Sequence, residues 1–294
     1  MRRAAPGPVS AVLADRVTEL WVALRGYRMQ FGRFPNLFQP RTFTEKVLYR
    51  MIFDRRPILT MLSDKYAVRE YVRDAVGGAV LPRLYWTTTA PEDIPFDALP
   101  DTFVVKASHG SHWVRVVLDK AEVDRDELIG TCRSWLGENY YFHFREPMYR
   151  PIEPRVLIEE LISDGTGPTP TDYKCFVFDG TVRMIQVVQG YLTGARMSFY
   201  DPSWHKLPVA SARYQPLERD APPPAHLDEL IACAETLARP LDFLRVDMYD
   251  SGTQVYFGET AVTPGAGRFY FDSYEFDRYL GGLWRISTAA PAGK

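Results

Sequence analysis

The sequence predicts an α+β protein with a helical opening section followed by strands joined as antiparallel hairpins. Three observations carry this reading. Residues from about Ser10 to Gly78 follow a helical period, Phe103-Val104-Val105-Lys106 pairs naturally with a strand from Trp113 to Leu118, and Asp179-Gly180 is a strong hairpin turn between two apolar runs. A chain of 294 residues that is 46% hydrophobic can bury a sizeable core, as one large domain or as two intimate ones.

Taken in order, Val12, Leu13, Val17, Leu20, Trp21 and Leu24 recur at helical spacing, with Arg16, Arg25 and Arg28 elsewhere on the wheel. A helix packed on its own domain is the expectation. A helix lying in a membrane interface is the alternative. Met1-Arg2-Arg3 heads this stretch, but Asp15, Arg16 and Glu19 break it as a signal peptide, and nothing later approaches the ~18 apolar residues of a membrane span. Thr42-Phe43-Thr44-Glu45 is a capping box opening a helix to about Met51. Pro57 precedes another start at Ser63-Asp64, and the helical run through Val72 ends at Gly77-Gly78.

Strands and helices alternate from Val80 to Gly137. The polar stretch Ala107 to His112 forms a small, donor-rich hairpin tip. From Pro154, Arg155 to Ile162 is an apolar strand carrying Glu159 and Glu160 at its far end, followed by a Gly- and Pro-rich loop. Tyr173–Phe178 and Thr181–Val188 flank Asp179-Gly180. Leu227, Leu230, Ile231, Ala234, Leu237 and Ala238 mark one helix face, stopped by Pro240, and Asp272-Ser273-Tyr274-Glu275 signals a last helix. The expected division is a helical region over 1–78 packed on the core, a small lobe over 79–153 and a large lobe over 154–294.

A net charge of −2 shows no footprint for nucleic acid. Cys132, Cys175 and Cys233 are odd in number and widely spaced, which argues against a disulfide framework or a zinc site and fits a reducing, cytoplasmic setting.

The chemistry concentrates in one hairpin, where Arg245-Val246-Asp247 is followed by Phe257-Gly258-Glu259 and Thr263-Pro264-Gly265. Mg²⁺ takes hard oxygen ligands, usually one or two carboxylates completed by phosphates and water. A two-residue turn at Ser251-Gly252 would pair Asp247 with Tyr256 and put Glu259 on the opposite face. A three-residue loop would pair Asp247 with Phe257 and bring Glu259 diagonally onto the same face. A shared metal therefore requires an odd loop or a bulge; the alternative is an exposed hairpin with ordinary charges. Lys106 precedes a loop of Ser, Gly and backbone donors that could cradle phosphate, or is simply a solvated lysine before a turn. Lys174 stands alone in an apolar strand, where a cation needs an anionic partner.

The order of these elements resembles the ATP-grasp superfamily, and more narrowly its TupA-like branch, associated with teichuronopeptide and surface-polysaccharide biosynthesis. The runs that carry the resemblance are Leu62 to Val72, Val105 to Ser111, Asp172-Tyr173-Lys174-Cys175-Phe176, Phe199-Tyr200-Asp201 with Trp204, Arg245-Val246-Asp247 and Tyr256-Phe257-Gly258-Glu259. The resemblance implies two α+β lobes whose antiparallel sheets clasp ATP. It implies phosphate contacts from Lys106 and Lys174 and the loop Ser108, His109, Gly110 and Ser111. It also implies an adenine hinge at Glu159, Glu160 and Leu161, an acid near the ribose at Asp172, Mg²⁺ ligands at Asp247 and Glu259, and a transition-state arginine at Arg245. The chain departs from the family at Ala261, where many members carry a third, Asn ligand; either a second Mg²⁺ is held weakly, or Thr260, Thr263 or water fills in.

The implied reaction is ligation of a carboxylate to an amine through an acyl phosphate, on small-molecule, peptide or glycan substrates. The His109–His112 tip is the candidate lid, and Arg268, beyond the metal strand, is a candidate for binding the carboxylate substrate. A kinase sharing the ATP site is the main alternative. A glycosyltransferase is less favoured, because the chain's Asp-x-Asp motif, Asp124-Arg125-Asp126, falls in a charged, helical stretch.

Overall fold

The structure, a computed structural model, describes residues 8–269 and 271–286. Met1-Arg2-Arg3 and the side chain of Val12 lie outside the described set. Four helices open the chain: α1 (Pro8–Phe31), α2 (Phe43–Phe53), α3 (Pro57–Ser63) and α4 (Val68–Val76). The strand β1 (Leu84–Thr88) leads to the hairpin β2 (Phe103–Ala107) and β3 (Val114–Val117), then α5 (Arg125–Gly137), the single turn α6 (Tyr141–Phe144) and β4 (Val156–Glu159). The remainder is β5 (Asp172–Phe178), β6 (Thr181–Gln189), β7 (Arg196–Tyr200), α7 (Leu227–Ala238), β8 (Phe243–Asp250), β9 (Val255–Ala261) and α8 (Tyr274–Leu283).

Local chemistry sets most of these boundaries. Thr42 and Glu45 form both halves of the predicted capping box. Pro57 opens α3, a helix the sequence reading had not separated, because proline is well placed at a first helical position. The Asp179-Gly180 turn has φ values of 46° and 76°, the pair of left-handed residues that a two-residue hairpin uses, and Phe178 pairs directly with Thr181.

The strands form two antiparallel sheets, ordered β1-β4-β2-β3 and β7-β6-β5-β8-β9. This corrects the boundary expected at residue 154. β4 does not begin the second sheet; it lies between β1 and β2, so the first sheet continues through Glu159. The apolar strand Val156-Leu157-Ile158 is buried on both faces, as suits a central strand.

The second sheet is covered on both sides. On one, Leu230, Ala234 and Leu237 of α7 meet Cys175, Val177, Leu244 and Val246. On the other, Phe43 of α2 and Leu280 and Trp284 close over Phe176, Phe178 and Phe243. Asp277 of α8 accepts hydrogen bonds from the Thr44 amide and hydroxyl at 3.0 and 2.6 Å, tying the last helix to the second. Farther along β8, Arg245 and Asp247 lie on the same face and pair with one another and with Lys174.

A second correction concerns α1. The expected helix is present, but Leu13, Val17 and Trp21 face solvent with Leu20 at the edge of exposure, while Glu19, Ala23 and Tyr27 are buried. The apolar stripe is not the face that packs.

Candidate active site

The site is built from one transverse row across the second sheet. Gln186, Lys174, Asp247 and Glu259 are directly opposed on β6, β5, β8 and β9, so their side chains share a face. Arg245 and Asp172, each two residues from a member of the row, point the same way.

The Asp247–Glu259 pairing depends on a bulge. The hairpin loop has four residues, since Asp250 pairs with Val255, and this register alone would set Gly258 opposite Asp247. The shift between Asp247 and Met248 leaves Gly258 as the extra residue and brings Glu259 into line. Of the two turns weighed from sequence, neither forms, but the bulge delivers the same-face geometry. Glycine eases the close approach there, because a Cβ on Gly258 would lie 3.0 Å from both the Asp247 carbonyl and the Tyr249 ring, and those neighbours would have to give by a few tenths of an ångström.

Cations satisfy these acids closely. Arg245 donates two bonds of 2.7 Å to Asp247, and Lys174 Nζ lies 2.5 Å from both Asp247 and Asp172. Arg245 also reaches Glu259 at 3.5 Å. Burial would raise the Glu259 carboxyl, but Lys65, Lys174, Arg245 and Lys106 hold it down at about 2. Lys106 from the first sheet and Lys174 from the second therefore act on the same carboxylate. Burial pushes Asp172 up to about 6, against the pull of Lys174, and leaves its Oδ1 without a hydrogen-bond partner. Lys174 is driven well above its ordinary value, because Asp172 and Asp247 outweigh the cost of its burial.

Several predicted residues are placed differently. Glu159 does not offer its carboxylate to a ligand: Lys106 holds it at 2.9 Å and Arg69 completes the pair. The Glu160 amide and carboxylate are both bonded to the backbone of Arg83. Ser108 is likewise committed, with its amide on the Arg155 carbonyl and its hydroxyl between Glu153 and Arg155. His109 turns inward, with Nε2 2.9 Å from the Trp135 carbonyl and its ring edge against Trp113. Burial lowers its pKa, against the pull of the backbone at Trp135 and Glu138. The amides of Gly110 and Ser111 make no hydrogen bond to another described residue, and they are the donors this loop presents.

Arg268 also falls away from the row. Its guanidinium packs against Gly26 of α1 and 4.9 Å over the Phe144 ring, beside Glu146. Thr260 and Thr263, the residues that could take the place of a third ligand, are both hydrogen-bonded elsewhere. Thr260 donates to the Leu62 carbonyl, and Thr263 donates to Glu146 at 2.6 Å. Ala261 sits opposite Arg245, where its small side chain leaves room for the guanidinium. Asp124 caps α5 by accepting from the Glu127 amide, so the Asp-x-Asp motif is a helix start.

Sequence reasoning missed Lys65. Its amide donates to the Ser108 carbonyl, and its Nζ lies 2.5 Å from the Gly110 carbonyl and 3.4 Å from Glu259. It pins the loop of the first sheet over the acids of the second. The signal was present within the Leu62–Val72 run, but nothing in helical spacing aims a lysine between α3 and α4 at β9. Tyr191, whose hydroxyl donates to Asp172 at 3.1 Å, was missed as well.

Lys65, Arg69, Lys106, Lys174 and Arg245 thus face Glu159, Asp172, Asp247 and Glu259 across the seam of two antiparallel sheets. The architecture is the ATP-grasp fold. Within it, the chain belongs to the TupA-like ATPgrasp family, whose sequence profile matches residues 45–285. No curated protein matches the chain. Among solved structures it is similar to D-alanine–D-alanine ligase from Bacillus anthracis complexed with ATP, at 20% identity over 71% of this chain and 58% of that one, with a TM-score of 0.43. It is similar to the ATP-grasp ligase PsnB complexed with minimal precursor, Mg and ADP, at 17% identity over 77% and 58%, TM-score 0.42. It is also similar to N5-carboxyaminoimidazole ribonucleotide synthetase from Thermus thermophilus, at 12% identity over 71% and 48%, TM-score 0.41. In each case the match spans less than two thirds of the solved chain.

Proposed function

We propose that this protein is an ATP-dependent ligase that joins a carboxylate to an amine through an acyl phosphate, within polysaccharide, peptide or natural-product biosynthesis. The observation that carries the reading is the transverse row Lys174–Asp247–Glu259, flanked by Arg245 and met by Lys65 and Lys106 from the other sheet. Five cations against four carboxylates leave too little positive charge to neutralise a triphosphate unaided. Two adjacent hard carboxylates fit Mg²⁺, and among the described residues no group of three or more potential ligands exists, so Asp247 and Glu259 would share the ion with phosphates and water. The bound ion would supply charge neutralisation between phosphates.

In this reading Lys65, Lys106 and Lys174 hold the triphosphate, with the Gly110 and Ser111 amides beside them. A substrate carboxylate oxygen attacks the γ-phosphorus as its bond to ADP breaks, and Arg245 meets the charge on the transferring group. The amine then attacks the acyl carbon, phosphate leaves, and the amine loses a proton. Phosphoryl transfer asks the protein for position and electrostatics rather than a covalent nucleophile, so no nucleophilic Ser or Cys is required.

Hydroxylamine added with ATP and a panel of acids should trap a hydroxamate with ADP formation. Phosphate stably esterified to a hydroxyl of the acceptor would make the enzyme a kinase instead. Asp247→Asn should abolish turnover, and an unchanged Mg²⁺ dependence in that variant would sink the metal assignment.

A further inference from the structure

Most surface helices bury their apolar stripe; α1 packs through a narrow patch and leaves its main apolar stripe in solvent. It rests on the protein through Glu19, Ala23 and Tyr27. Glu19 pairs with Arg55 at 2.6 Å and accepts from the Tyr141 hydroxyl, and Asp15 pairs with Arg150 at 2.6 Å. The outer face carries Leu13, Val17, Leu20 and Trp21, which are 61%, 65%, 36% and 58% exposed. Their spacing places them in one line along the helix. Phe34, 56% exposed beneath the Arg28 guanidinium, extends the apolar surface past the helix end.

The charges are sorted as well. Asp15 and Glu19 are the acids of α1, and both are spent on the inner face. Arg16, Arg25 and Arg28 remain, all exposed, and Arg25 stacks 5.1 Å over the Trp21 ring. Leucine, valine and tryptophan in a stripe, bordered by arginines without a counter-acid on the helix, match a surface that is apolar underneath and anionic above. Tryptophan favours that boundary, where its ring is buried and its N–H stays wet. A second copy of the chain is a poor occupant, because pairing two such faces would set arginines against arginines.

We propose that α1 docks this protein onto an anionic lipid surface, lying in the plane of the interface with Leu13, Val17, Leu20 and Trp21 toward the acyl chains and Arg16, Arg25 and Arg28 at the phosphates. The helix is 24 residues, roughly 36 Å long, enough to lie along the surface over its whole length. No described helix is long and apolar enough to cross a membrane, so this attachment is peripheral. The inference is independent of the ligase reading.

Flotation of the full chain with phosphatidylcholine vesicles, with and without phosphatidylglycerol, tests it. The chain should float with the phosphatidylglycerol vesicles and release at high salt. Leu13→Gln/Val17→Gln/Trp21→Gln should weaken binding at least roughly tenfold, and reversing Arg25 or Arg28 to Glu should weaken it roughly fivefold each. These positions are in solvent, so the variants should keep the circular dichroism and melting temperature of the parent. A parent that does not float, or a triple variant that floats equally well, overturns the proposal. So does a concentration-dependent dimer in sedimentation velocity that the same triple variant abolishes, which would give the stripe to a second copy.

Discussion

Replacing Glu146 by Gln should make the protein more stable at neutral and alkaline pH and leave it nearly unchanged near pH 4. Glu146 is buried under the end of β9, where its carboxylate accepts from Thr263 at 2.6 Å. Burial pushes its pKa up to about 7 from an ordinary 4.5, against the pull of the Thr263 hydroxyl and Arg268. A carboxyl raised in the folded state holds its proton more tightly there than in the unfolded chain. The stability it contributes is complete below about pH 4.5 and is lost as pH rises through about 7. The shift corresponds to about 3 kcal/mol, accumulating between those limits and flat above them. Glutamine keeps an oxygen for Thr263 and does not titrate. Urea unfolding of both proteins across pH 4 to 8, values chosen to bracket about 4.5 and 7, should therefore show the variant gaining on the parent by about this amount. A variant less stable than the parent at pH 8 would refute the reasoning, because it would mean that the ionised pair with Arg268 outweighs desolvation.

Gly258→Ala should cost about 1–3 kcal/mol of stability and lower the ATP turnover, since a methyl there crowds the Asp247 carbonyl and the Tyr249 ring at 3.0 Å and strains the register between Glu259 and Asp247; thermal melting and ADP release would show it, and a variant with parental turnover would dissociate the bulge from the site. Lys65→Met should weaken nucleotide binding about tenfold or more, the scale of a charge-assisted bond, in a fluorescent-nucleotide titration; parental affinity would remove Lys65 from the phosphates. Arg268→Ala should lower the melting temperature through lost packing on Gly26 and Phe144 and move the KM values for ATP and acid substrate together; a selective rise for the acid would restore it as a substrate ligand.

Much of the site was legible because strand alternation is a local rule. A lone lysine in β5 called for an anionic partner, and Asp172 on the same strand and Asp247 on the next one meet it. Arg245 and Asp247, two residues apart, had to share a face. Ala261 marked a departure from the family in the sequence, but the hydrogen bonds that engage Thr260 and Thr263 were not legible there. Other placements were not legible. His109 and Arg268 belong to types and positions suited to an anion, but their partners, the Trp135 carbonyl and the Phe144 ring, come from helices whose docking no local spacing encodes.

The sequence by itself determined the elements and the chemistry they carry. The Thr42 capping box, the left-handed Asp179-Gly180 turn and the order of lysines, carboxylates and arginine along the strands all follow from dihedral preferences and a two-residue period, which act within a few residues. Tertiary structure decided which distant surfaces meet. It put β4 inside the first sheet and delivered Lys65 to Glu259. It chose a bulge at Gly258 rather than an odd loop, and it packed α1 through Glu19, Ala23 and Tyr27 rather than through its longer apolar stripe. Register, pairing partner and buried face are settled by the area each arrangement removes from water and by which buried charges find partners. Those quantities belong to the assembled chain and not to any segment of it.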